Sequence, residues 1–162
     1  MIAKQIKYAL LSLFFVVIQT QVMRLLSIEG ITPDILIIWI VYVALRRGQM
    51  QGMLWGFTVG LAFDLITGNF IGLSALSKTV AGFTGGFFYN ENKTQLTLRS
   101  YQFIVIVLAA SIIHNTIYFF IFTQGSDIRL LRAVFQYGLT TALYTSLVTL
   151  LPMFSFARKY HA

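Results

Sequence analysis

The sequence predicts an all-α integral membrane protein, a six-transmembrane-helix bundle with both termini in the cytoplasm. Three observations lead there. Of 162 residues, 10% are charged and 57% are hydrophobic, where an ordinary soluble domain has roughly 25% charged residues. Mean hydropathy is +0.78, which means more apolar surface than a soluble fold of this size can bury. Apolar stretches of helix length, nearly free of charge, recur along the whole chain. The same composition excludes a disordered polypeptide.

A single transmembrane domain is expected over residues 1–162. The first span, 8–26, is built on the charge-free interval between Lys7 and Arg24. No small-residue cleavage site and polar domain follow it, so it reads as a retained helix rather than a signal peptide. The second, 31–47, contains only 15 uninterrupted uncharged-or-capped positions, Ile31–Leu45. These reach about 22 Å, so this span must borrow from its flanks or thin the bilayer locally. The third and fourth, 50–67 and 71–88, form a hairpin with its turn near Gly68–Phe70. The fifth and sixth, 101–122 and 133–155, lie in the long intervals Arg99–Asp127 and Arg132–Arg158, which supply the roughly 20 residues a bilayer core requires.

Orientation follows from the loops. With the N-terminus inside, Lys4, Lys7, Arg46, Arg47, Lys93, Arg99, Arg158 and Lys159 are cytoplasmic, while Arg24, Arg129 and Arg132 are outside. Eight against three puts both termini in the cytoplasm. The net charge of +7 is thus a matter of membrane sidedness and lipid contact, not of nucleic acid. The largest hydrophilic stretch, Tyr89–Ser100, has neither phosphate-cradling glycines nor paired carboxylates, and reads as a cytoplasmic loop.

Few residues break the apolar pattern. Gly52, Gly56, Gly60, Asp64, Gly68 and Gly72 recur every four residues, which returns to nearly the same helix face. That small-residue stripe permits close helix approach, either within this bundle or to a partner's helix. Asp34 follows Pro33 at the start of the second span, where a proline fits the first turn and a carboxylate meets free amides. Asp64 has two readings: it caps the turn at Thr67–Phe70 or pairs within the bundle, or it forms a functional polar site. Lys78 is the one Lys or Arg well inside a span, and Asp64 across the hairpin is its natural candidate partner, with water or another partner left open. His114, with Asn115, reads as an interhelical hydrogen-bonding pair. With no cysteine, disulfides, thiolate metal sites and cysteine nucleophiles are excluded. No motif of nucleophilic, metal or phosphate chemistry matches, so no catalytic residue, metal or cofactor is expected.

The run from Pro33 to Phe88 resembles the core of MreD, the bacterial rod shape-determining membrane protein. The likeness lies in Pro33-Asp34 opening an apolar helix, in Gly56, Phe57, Gly60, Leu61 and Asp64, and in Thr67, Gly68, Gly72, Leu73 and Leu76. Residues 1–30 and 95–162 agree in hydropathy alone, and a lysine inside the fourth span departs from the pattern. The resemblance implies a non-enzymatic scaffold of the bacterial inner membrane. It would bind MreC and act in cell-wall elongation with the actin-like MreB, the glycosyltransferase RodA and a class B transpeptidase. It also implies an architecture similar to the six-helix substrate-binding subunits of energy-coupling-factor transporters. From that likeness comes the competing expectation, a small-molecule-binding subunit with Asp64, Lys78 and His114 lining an outward cavity.

Overall fold

The computed structural model describes residues 2–22, 25, 27, 31–68, 70–124 and 130–158. Among these the chain is helical, with no strand. The helices are α1 (Ile2–Gln21), α2 (Ile35–Arg47), α3 (Gln49–Thr67), α4 (Leu73–Gly86), α5 (Thr94–Arg99) and α6 (Tyr101–Thr123). The last segment runs through α7 (Leu130–Arg132), a π-helical turn (Ala133–Gly138), α8 (Leu139–Val148) and α9 (Leu150–Arg158). Arg24, Arg129 and Lys159, which the charge count used, and Asn69 of the expected turn lie outside the described residues.

Among the described residues two helical stretches of 23 residues, Tyr101–Thr123 and Ala133–Ser155, are long and apolar enough to cross a membrane. Others are shorter for identifiable reasons. α2 has 13 residues, about 20 Å, because Pro33 and the capping side chain of Asp34 fix its start. Its end is fixed at Gly48, which takes φ +89° and joins α2 to α3 through a single residue. The stretch Tyr89–Ser100, expected as plain loop, contains α5. Thr94 Oγ1 donates to the carbonyls of Leu45 and Asn90, tying the start of α5 to the end of α2.

α2 is the axis of the bundle. Leu36, Ile37, Ile40, Val41, Val43, Ala44 and Leu45 are all fully buried, as expected of a helix that is apolar all round and surrounded by others. On one side Ile37, Ile38, Val41 and Leu45 pack with Phe103, Ile106, Val107 and Ala110 of α6. On the other, Leu36, Trp39, Ile40 and Val43 meet Val16 and Phe15 of α1 and Val59 of α3.

α3 and α4 form the tightest pair. A Cβ on Gly60 would stand 2.5 Å from the Ala75 Cα and the Ser74 carbonyl oxygen, and one on Gly52 would stand 2.7 Å from the Gly82 carbonyl oxygen. A Cβ on Gly56 would collide with the carbonyl of Lys78, and one on Gly86 with Gln49. The two backbones are therefore in contact along nearly the whole hairpin, and this stripe is occupied by the chain's own α4. Gly68 and Gly72 are not part of that seam. No atom lies within 4 Å of where their Cβ would be, and they adopt φ +70° and +99°. They are turn residues, placed where L side chains are strained.

Candidate functional site

The polar groups buried in the bundle gather around two aspartates. The first is Asp34. Its Oδ1 accepts from the amides of Leu36 (3.0 Å) and Ile37 (3.3 Å), capping α2. Its Oδ2 accepts from Lys78 Nζ at 2.7 Å, and His114 Nε2 lies 3.6 Å away. The lysine is 2% exposed, and its ammonium also stands 5.2 Å from the centroid of the Phe63 ring, within the range of a cation–π contact.

The expected pairing of Lys78 with Asp64 is therefore wrong, and helix geometry explains why. In the antiparallel hairpin Lys78 lies opposite Gly56, whereas Asp64 lies opposite Gly72–Ser74. Eight residues along α3 are about 12 Å, beyond the reach that would join them. The lysine side chain meets instead the N-terminus of α2, which the linear sequence places 44 residues away.

The chain entering α2 is non-helical from Ile31 to Asp34, and its backbone groups take partners from side chains. The Asp34 amide donates to Thr145 Oγ1 (2.9 Å) and the Ile35 amide to Gln19 Oε1 (2.9 Å), while Gln19 Nε2 donates to the Pro33 carbonyl (3.0 Å). Non-helical backbone in a lipid environment is tolerated only when buried and satisfied in this way. Helices α1, α4, α6 and α8 thus converge on one corner of α2. Gln19 and Thr145 were not singled out in the sequence; a glutamine within an apolar helix was the available signal.

The second aspartate, Asp64, is fully buried. Its Oδ2 accepts from the amides of Gly72 (3.0 Å), Ser74 (3.0 Å) and Ala75 (3.3 Å), and Oδ1 from Ser74 (3.2 Å). Its main-chain carbonyl receives the Gly68 amide, closing α3. The residue caps the first turn of α4 rather than the Thr67–Phe70 turn, because the free amides and positive end of that helix are what a buried carboxylate requires.

Asn115 Nδ2 donates to the Gly138 carbonyl at 2.8 Å, linking α6 to the π-helical turn. Its neighbour His114 contributes to the Asp34 corner instead, so the two adjacent residues serve different helices. Among the described residues no three His, Asp or Glu side chains converge as metal ligands would. Beside the core lie a cavity between α1, α2 and α9 and a smaller one around Gly68, Leu73 and Tyr118. Neither is lined by Asp64, Lys78 or His114, so the outward cavity expected from those three is not formed there. What the arrangement does is fix helices to one another.

A family model, rod shape-determining protein MreD, matches residues 3–160. No curated protein and no solved structure matches the chain, so the likeness to transporter subunits draws no support from a known fold.

Proposed function

From the premise that this chain belongs to the MreD family of rod shape-determining membrane proteins, we propose that it is a non-enzymatic scaffold that binds MreC in the bacterial inner membrane. In that role it helps to position peptidoglycan synthesis during elongation, together with MreB, RodA and a class B transpeptidase. The observation that carries this reading is the match over residues 3–160, which reaches well beyond the 33–88 core that the sequence motifs covered.

The disposition of polar groups supports the same reading. Asp34, Lys78, Asp64 and Asn115 are each engaged with another part of the bundle, and their common effect is to hold short or irregular helices in register. A scaffold requires that rigidity. Six membrane spans with both termini cytoplasmic form part of the proposal. The Arg47 guanidinium lies over Tyr8 of α1, and Thr94 bonds to the Leu45 carbonyl. Lys7, Arg46, Arg47 and Lys93 therefore share one end of the bundle, as the positive-inside rule expects of the cytoplasmic face.

Since the glycine seam is filled by α4, MreC docks on an outward-facing surface. The test is affinity purification of the full chain from bacterial membranes. MreC is expected to co-purify, and depletion of the chain is expected to round the cells. The absence of cysteine permits single-cysteine cross-linking to MreC without background. Cross-links are expected from exposed positions such as Leu143 or Leu147 and not from Gly56. Failure of MreC to co-purify from cells that keep their rod shape would contradict the assignment.

A further inference from the structure

Between α1, α2 and α9 runs a groove of about 730 Å³. Phe15, Trp39, Ile35 and Ile38 give it an apolar wall, and Lys7, Arg46 and Arg47 stand at one end. Among the described residues no acidic side chain lines it. The Arg46 guanidinium lies 5.3 Å from the Tyr42 ring centroid and that of Arg47 5.3 Å from Tyr8. Among the described residues none of these three cations forms a salt bridge. The C-terminal carbonyls of α2 take up a share of this positive charge, and three cations leave a surplus.

We propose that this groove binds an anionic membrane lipid, with its phosphate between Lys7, Arg46 and Arg47 and a hydrocarbon chain lying along Trp39 and Phe15. The order of charge and apolar surface selects that occupant. From Arg47 to Ile35 the groove follows α2 for about 18 Å, with its cations at one end and its apolar wall beyond them, as a phosphate headgroup and its chain require. The basic end sits where a headgroup lies at the membrane surface, and juxtamembrane cations attract anionic lipids there. The proposal does not depend on MreC binding.

Trp39 provides the probe. The full-length W55F variant, with Trp39 as its remaining tryptophan, is reconstituted in phosphatidylcholine vesicles containing increasing fractions of chain-brominated phosphatidylglycerol or chain-brominated phosphatidylcholine. Bromine in contact with the indole quenches its fluorescence. Phosphatidylglycerol is expected to saturate quenching at a mole fraction at least tenfold below that of phosphatidylcholine. R46Q/R47Q is expected to weaken the phosphatidylglycerol response by roughly 10- to 30-fold, and K7Q by about fivefold. These side chains are exposed, so circular dichroism is expected to report an unchanged fold. Identical curves for the two lipids, or a phosphatidylglycerol curve unmoved by R46Q/R47Q, would overturn the proposal. Displacement by inorganic phosphate would overturn it in favour of a free anion site, and loss of quenching by both lipids on adding MreC would make the groove a seat for protein.

Discussion

Asp34 and Asp64 are the same residue type, Asp34 partly and Asp64 fully buried in an apolar bundle, and the bundle satisfies them in opposite ways. Asp64 takes all its partners from backbone amides 8 to 11 residues ahead of it. Asp34 takes two local amides and then reaches a lysine 44 residues away, with its own amide bonded to a threonine 111 residues away. One carboxylate completes a hairpin; the other, together with the backbone groups beside it, joins four helices to the end of a fifth. The comparison teaches that a membrane-depth charge is not by itself a sign of chemistry. A local cap and a long-range clasp both answer the desolvation cost of such a group.

The largest expected effect breaks the clasp on one side only. Lys78→Met leaves the Asp34 carboxylate buried and unpaired, and Asp34→Asn does the same to the lysine. Each is expected to cost about 3–5 kcal/mol, whereas removing both charges together is expected to recover most of that loss. Thermal unfolding of the detergent-solubilised chain checks this. Losses that simply add up in the double variant would mean that the two residues are not coupled.

Next comes the seam between the two aspartates. Gly56→Leu drives a side chain into the Lys78 carbonyl and is expected to cost at least 1–3 kcal/mol through overpacking. It should abolish MreC capture by unfolding the hairpin. A folded Gly56→Leu variant with normal thermal stability would show that α3 and α4 are not in backbone contact.

Asp64→Asn sharpens the other side of the comparison. The amide keeps one acceptor oxygen, and the partners are a helix end rather than a buried cation. A smaller loss of about 1–2 kcal/mol is expected in the same unfolding assay. A loss equal to that of Lys78→Met would erase the distinction between cap and clasp. The smallest effect is expected for Asn115→Leu, about 1 kcal/mol for a single neutral hydrogen bond in a membrane bundle, measured likewise.

What the sequence made legible follows the same division. The all-helical class was readable because hydropathy is local, and the capping role of Asp34 because Pro33-Asp34 before an apolar run fixes a helix start. The partner of Lys78 was not readable. Its choice depends on how far α2 extends into the bundle, and α2 is short because Asp34 and Gly48 bound it. Nor did spacing distinguish Gly56 from Gly68: the four-residue repeat runs through both, but the helix ends at Thr67, so the later glycines turn the chain instead of packing it. The π-helical turn at Ala133–Gly138 leaves no mark in composition. Only the carbonyl of Gly138, which accepts from Asn115 Nδ2, reveals what that asparagine is for.

The most direct test of the central claim, that the buried charges hold a scaffold together and perform no reaction, is the D34N/K78M variant in a rod-shaped bacterium depleted of its own MreD. Asparagine retains the helix cap, and the pair of buried charges is gone. The account predicts that this variant folds, captures MreC and maintains rod-shaped cells. A variant that folds and captures MreC yet leaves the cells round would contradict it, by showing that Asp34 and Lys78 do something beyond joining helices.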